Sequence, residues 1–143
     1  MSSLCVFSSV AEWGYCTVDK SVINAITITG FVLLATGIYI RISAIQTLGN
    51  SFKATVTVSK NQLLVTTGLY KYIRHPSYLG AFIAITGCPL SLNNTVTTIT
   101  SPLLMLIAYI YRVIVEEQKM LSHFGEEYKN YMKRTYRMFP FIW

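Results

Sequence analysis

Two stretches of this 143-residue chain carry no Asp, Glu, Lys or Arg: the 20 residues 21–40 and the 36 residues 76–111. A helix needs about 20 predominantly apolar residues to cross the hydrocarbon core of a bilayer. The first stretch has the length of one crossing, and the second that of two with a turn between them. Pro89, Ser91, Asn93 and Asn94 supply the turn, a cluster of residue types that breaks helices and favours loops. The spacing predicts spans at 22–42, 76–90 and 96–115. A soluble helical protein would instead keep polar residues along one face of each helix. Here 38–42 and 103–111 are apolar nearly all round. Charged residues make up 13 % of the chain, about half the usual soluble share of roughly 25 %, and hydrophobic residues 52 %. That balance excludes a disordered chain. Three cysteines, an odd number, argue against a disulfide framework. The expected fold is all-α, a multi-span transmembrane helical bundle forming a single domain over 1–143.

The basic residues are placed unevenly. Lys53, Lys60, Lys71 and Arg74 lie between the first two spans, and Lys119, Lys129, Lys133, Arg134 and Arg137 follow the third. The turn between spans two and three has none. By the positive-inside rule the long loop and the C-terminal tail share the cytosolic face, with the N-terminus and the Asn93 turn opposite. Asn93-Asn94-Thr95 is a glycosylation sequon expected to be unused so close to a membrane. The net charge of +6 reads as topology and contact with anionic membrane lipid; no nucleic-acid-binding pattern is present. Residues 1–19 lack the pattern of a signal peptide, so the first span is expected to act as its own insertion signal. Cys5 and Cys16 are either a disulfide or two thiols. There is no C-x-x-C and no metal-ligand cluster.

The tail has a different periodicity. Met120, Leu121, Phe124, Tyr128, Tyr131 and Met132 fall on one helical face, with Lys119, Glu126, Lys129 and Lys133 largely on the other. This predicts an amphipathic helix over 116–135, at the membrane interface or packed on the protein's own loops. Gly125 weakens or bends it.

Two polar clusters stand at the cytosolic ends of spans two and three. One is Gly68-Leu69-Tyr70-Lys71-Tyr72-Ile73-Arg74-His75-Pro76-Ser77-Tyr78-Leu79-Gly80; the other is Arg112-Val113-Ile114-Val115-Glu116-Glu117. If spans two and three form a hairpin, both clusters return to one membrane face. Arg112 and Glu116, at i and i+4, share a helix face. They read either as an intrahelical ion pair or as a functional pair, since ionisable residues bordering a span are costly and often functional.

The order Arg74-His75-Pro76-Ser77-Tyr78-Leu79-Gly80, then Glu116-Glu117, then Phe124-Gly125-Glu126-Glu127-Tyr128 resembles the isoprenylcysteine carboxyl methyltransferase family. The likeness begins near Leu48-Gly49, includes Leu64-Val65-Thr66-Thr67-Gly68-Leu69-Tyr70, and ends at Pro140-Phe141-Ile142. Such enzymes use S-adenosylmethionine to methylate the C-terminal carboxylate of prenylated proteins. The resemblance implies a cytosolic cofactor loop, with Gln62, Leu63, Leu64, Val65, Tyr70, His75, Pro76, Ser77, Tyr78 and Glu116 at the cofactor. Arg112 is implied as the catalytic residue that holds the substrate carboxylate. It implies an endoplasmic reticulum membrane, with a prenylated C-terminal cysteine as partner.

The chemistry suits these residue types. Aromatic faces attract a sulfonium, and a guanidinium matches a carboxylate at two points. Two alternatives stay open. One is an N-methyltransferase for a lipid amine, which would want a general base. The other is a non-catalytic, truncated membrane relative. Family members usually carry more spans ahead of this region, and a side left open by their absence would be covered by a homo-oligomer or a second chain.

Overall fold

A computed structural model describes residues 23–49 and 63–140. Gln62, Cys5, Cys16, Lys53, Lys60, Phe141 and Ile142 lie outside them. The described residues form helices α1 (Ala25–Leu48), α2 (Pro76–Ser91), α3 (Thr95–Phe124) and α4 (Glu126–Met132), with a short 3-10 turn, Gly68–Lys71, ahead of α2. A single parallel bridge between Ile73 and Tyr136 is the β pairing among them.

α1 and α3 are long and apolar enough to cross a membrane. At 24 and 30 residues they are about 36 and 45 Å long, against a hydrocarbon core of roughly 30 Å. Only 17 % of the most apolar 18-residue window of each is buried. A core helix of a soluble protein would be covered, so these faces suit lipid. α2, with 16 residues, is about 24 Å long, a few ångström less than that core.

Helix ends follow side-chain chemistry. Asn24 Oδ1 accepts from the backbone N–H of Thr27 at 2.9 Å, and Asn94 Oδ1 from that of Thr97 at 3.0 Å. Both are side-chain N-caps. α2 runs through Pro89 to Ser91, one residue past the expected boundary at 90; prolines are tolerated inside membrane helices. Asn93 takes φ +53°. Its amide nitrogen, the atom of the sequon, donates to the Thr27 hydroxyl at 2.8 Å. The expected boundary at 115 is also displaced. Helical hydrogen bonding does not stop where charges begin, and α3 continues to Phe124. The break falls at Gly125, whose φ of +54° is a conformation that glycine adopts without a Cβ penalty. The single helix expected over 116–135 is therefore split, and its second half is a seven-residue helix with Tyr128 and Tyr131 buried against the protein itself.

The chain divides into two compact units, one of Met1–Tyr39 and Gly80–Ile107 and the other of Ile40–Leu79 and Ala108–Trp143. In the first, α1 and α2 approach through small residues. A Cβ on Gly30 would lie 2.2 Å from the Ser91 nitrogen, one on Gly37 2.4 Å from the Ala84 nitrogen, and one on Gly87 2.5 Å from the Leu34 nitrogen. Gly80, Ala84, Gly87 and Ser91 recur at intervals of 4, 3 and 4. This is the small-residue seam that lets membrane helices pack backbone to backbone where apolar burial contributes little. In the second unit, Tyr72 to His75 runs alongside Tyr136 and Arg137. Tyr136 donates its N–H to the Tyr72 carbonyl (3.0 Å), Arg74 to that of Tyr136 (2.8 Å) and His75 to that of Arg137 (2.9 Å).

Candidate active site

The site lies within the second unit. Pro76 starts α2, where its missing N–H costs nothing, and it is almost fully buried. The 72–75 segment ahead of it is held by the tail. Together these fix an elbow at His75-Pro76-Ser77-Tyr78, in which His75 and Ser77 are buried polar side chains.

Tyr78 is the centre of the cluster. Its ring stacks on His75 at 5.6 Å and on Tyr109 at 4.8 Å between centroids. The Arg112 guanidinium carbon stands 5.6 Å from the ring centre. The Tyr78 hydroxyl accepts from Arg112 Nε at 2.7 Å and donates to Glu116 Oε2 at 2.8 Å. A phenol has one proton to give, so this arrangement sets Tyr78 as neutral and Glu116 as the acceptor. Arg112 and Glu116 are thus bridged by a hydroxyl from another helix. Charge-assisted hydrogen bonds of this kind contribute about 1.5–3 kcal/mol each.

Glu117, the next residue, faces the other way and is 5 % exposed. Its Oε1 accepts from Arg74 Nε at 2.7 Å and lies 3.4 Å from His75 Nε2; its Oε2 accepts from Arg137 Nε at 2.9 Å. His75 Nε2 is buried and makes no aligned hydrogen bond, so its contact with Glu117 is one of proximity. Arg74 Nη1 also donates to the carbonyls of Met132 (3.2 Å) and Thr135 and to the Thr135 hydroxyl (3.3 Å). Removing one partner of a buried pair such as Arg74–Glu117 typically costs about 3–5 kcal/mol, because the other charge is left unpaired.

α4 closes the unit. The Tyr131 hydroxyl donates to the Tyr70 carbonyl at 2.6 Å. Burial pushes that hydroxyl up to about 12, against the pull of Arg74 and Arg134. Burial likewise raises Tyr70 and Tyr128.

The sequence-predicted residues divide into three groups. Tyr78, Arg112 and Glu116 meet through hydrogen bonds, with His75 stacked on Tyr78. Tyr70, Pro76 and Ser77 are buried in the same unit. Leu63 is 79 % exposed, and Leu64 and Val65 are half-buried ahead of the 3-10 turn.

Sequence reasoning missed Tyr109 and Arg41. Tyr109, Arg112 and Glu116 are spaced 3 and 4, a helix-face pattern that would have found the first. Arg41 lies in a run read as apolar. Its Nη1 donates to the Ser77 carbonyl at 3.2 Å, and Tyr109 is within its electrostatic reach. A charge inside a span is itself the signal.

Residues 28–122 match the isoprenylcysteine carboxyl methyltransferase family. The chain is 39 % identical over 115 residues to the protein-S-isoprenylcysteine O-methyltransferase of Schizosaccharomyces pombe, covering 79 % of this chain and 48 % of that protein. It is 34 % identical over 122 residues to the Homo sapiens protein of the same name, covering 84 % and 43 %. Among solved structures it resembles a eukaryotic intramembrane Ras methyltransferase, an isoprenylcysteine carboxyl methyltransferase. The TM-score is 0.90 at 30 % identity, over 98 % of this chain and 52 % of that one. The chain spans about half the length of these relatives. A mostly helical structure with two apolar helices of crossing length, the ordered Arg-His-Pro, Glu-Glu and Gly-Glu-Glu motifs, and a match over most of its residues agree: the chain belongs to the isoprenylcysteine carboxyl methyltransferase family.

Proposed function

We propose that this chain methylates the C-terminal carboxylate of a prenylated cysteine, with S-adenosylmethionine as donor. The observation that carries the reading is the hydroxyl of Tyr78 held between Arg112 Nε and Glu116 Oε2. It supports a division in which Arg112, set by the Tyr78 hydroxyl, addresses the acceptor, while the Tyr78 ring and Glu116 address the donor.

The residues fit that donor. A sulfonium favours a π face, and Tyr78 offers one within the stack of His75, Tyr78 and Tyr109. A carboxylate such as Glu116 accepts from ribose or amino groups and favours a cation. Tyr70, His75, Pro76 and Ser77 form the rest of the cofactor set, and Gln62, Leu63, Leu64 and Val65 its loop. When bound, S-adenosylmethionine supplies an electrophilic methyl on a cationic sulfur.

The acceptor needs no general base, since an α-carboxyl group with pKa about 3.5 is already ionised at neutral pH. What remains is alignment, which can supply several kcal/mol. Arg112 is permanently charged and matches a carboxylate at two points. The nucleophile loses charge as it attacks, so a very tight grip would favour the ground state. Arg112 therefore orients more than it accelerates by charge.

Lys71, Lys119, Lys129, Lys133 and Arg134 flank the cluster in sequence, which supports a cytosolic site by the positive-inside rule. The apolar part of α3 ahead of Arg112, residues 95–111, is about 26 Å long. That suits the endoplasmic reticulum bilayer of about 27 Å better than a plasma membrane of about 32–33 Å. The prenyl chain enters from lipid and the donor from water.

The direct test supplies membranes containing the chain with methyl-labelled S-adenosylmethionine and farnesyl- or geranylgeranyl-cysteine. A base-labile methyl ester is expected. Arg112→Ala should abolish it while S-adenosylhomocysteine binding survives. Absence of ester from correctly inserted protein defeats the reading, and equal loss of binding and transfer in Arg112→Ala defeats the division of roles.

A further inference from the structure

The two adjacent glutamates of α3 point to different tasks. Glu116 is half-buried and meets the Tyr78 hydroxyl. Glu117 is buried, and two other segments of the chain converge on it. Arg74 reaches it from the segment before α2, where the His75 imidazole also lies against it, and Arg137 reaches it from the tail. The same segments are joined by backbone hydrogen bonds. The Arg74 N–H goes to the Tyr136 carbonyl, the His75 N–H to the Arg137 carbonyl and the Tyr136 N–H to the Tyr72 carbonyl. Arg74 makes a second set of bonds, to Met132 and Thr135.

The carboxylate therefore ties the elbow, the tail and α3 at one point. Its two oxygens serve different arginines, so neither arginine can turn without breaking a charge-assisted bond. Next to it along α3, Glu116 and Arg112 must point at Tyr78, which the elbow carries. Fixing the rotation of α3 against the elbow fixes that meeting.

We infer that Glu117 is a positioning residue. By clamping Arg74 and Arg137 it holds the His75–Tyr78 elbow in register with Glu116 and Arg112, and the tail segment 135–137 is part of the site's support. This rests on the proposed methyltransfer reading for what the elbow binds. The clamp itself rests on geometry alone.

The test uses the full chain in lipid nanodiscs with two measurements, S-adenosylhomocysteine binding by calorimetry and amide hydrogen exchange. Glu117→Gln keeps the shape of the side chain and removes its charge. It should weaken binding about 10-fold or more, the scale of one lost charge-assisted bond. The amides of Arg74, His75 and Tyr136 should exchange at least about 10-fold faster while those of α1 keep their protection, because the opening is local. Arg137→Gln, whose arginine is one-third exposed, should give the same pattern at about 3-fold, screened by solvent. The double variant should be no more than about 2-fold worse than Glu117→Gln, as expected for partners in one interaction. Gln118→Ala, an exposed neighbour, should match the parent in both measurements. At saturating donor, the acceptor KM of Glu117→Gln should also rise, by about 3-fold or more, because the Tyr78 hydroxyl that sets Arg112 moves with the elbow.

Binding within about 2-fold of the parent in a folded Glu117→Gln protein overturns the inference. So does a loss of binding accompanied by faster exchange throughout α1, which marks general destabilisation. If Glu117→Gln does not fold, Arg137→Gln decides by the same criteria. If the parent binds no S-adenosylhomocysteine, the functional reading falls, and the exchange pattern still decides whether Glu117 clamps the elbow.

Discussion

Tyr78 separates two charges that the helix alone would let meet. Arg112 and Glu116 are one turn apart on α3, a spacing at which an exposed pair contributes only about 0.3–0.5 kcal/mol. With the phenol between them, each makes a short bond to a fixed oxygen, at 2.7 and 2.8 Å. The guanidinium plane is thereby set by a contact within the protein. Tyr78→Phe keeps the ring stack and removes only the hydroxyl. Under the proposed reaction, the KM for prenylcysteine should rise about 10-fold, the equivalent of about 1.4 kcal/mol, while S-adenosylhomocysteine affinity changes less than about 3-fold. Steady-state kinetics with a parallel binding measurement distinguish the two; a larger loss in cofactor affinity than in acceptor KM would place the hydroxyl on the donor side. Tyr78, Arg112 and Glu116 were legible because each sits in a motif. Their arrangement was not, since it depends on the rotation of α2 against α3, which no spacing within one helix encodes. Glu117 was read together with Glu116. One step along a helix turns a side chain by about 100°, and only the packing tells which of the two faces the elbow.

At the level of the helices, charge counting located the apolar runs and misjudged where the helices end. Charge marks where lipid stops, whereas hydrogen bonding and caps mark where a helix stops. Asn24 and Asn94 cap α1 and α3, and Gly125 ends α3 nine residues after Val115. The seam between α1 and α2 was present in the sequence as Gly80, Ala84, Gly87 and Ser91 but could not be recognised without its partner, because small residues also occur in lipid-facing positions. It makes a strong prediction. A Cβ on Gly87 would stand 2.5 Å from the Leu34 nitrogen and 2.7 Å from the Gly30 carbonyl oxygen, and backbone atoms cannot rotate aside. Gly87→Ala should therefore destabilise the protein by about 2 kcal/mol or more, at the upper end of overpacking costs. Ala35→Leu, on an exposed part of α1, should cost less than about 0.5 kcal/mol. Thermal unfolding in a single detergent compares them; equal melting temperatures for the two variants would show that α1 and α2 do not pack through this seam.

For the molecule as a whole, α3 carries the question of which groups meet lipid and which meet water. It is one continuous helix of 30 residues, yet its first 17, residues 95–111, hold no charge. The remainder holds Arg112, Glu116, Glu117, Lys119 and His123. The apolar part is about 26 Å long, close to the hydrocarbon thickness of roughly 30 Å, and the last 13 residues extend about 20 Å beyond it. On the proposed reading Arg112 then stands at the boundary, where a lipid-borne chain and a water-soluble donor can reach the same atoms. A helix lying wholly in the membrane would instead bury five titratable groups, each at a cost of kcal/mol. The two ends of α3 should thus be accessible from opposite sides. With Cys5, Cys16 and Cys88 replaced by serine, a lone cysteine at Thr95 and another at Ser122, both exposed, can be probed with a membrane-impermeant maleimide on sealed microsomes. Ser122→Cys should label directly, and Thr95→Cys only after permeabilisation, if the proposed topology places the basic end of α3 in the cytosol. Labelling of both from one side would mean that α3 does not cross. The apolar faces left uncovered on α1 and α3 would then need a protein partner rather than lipid.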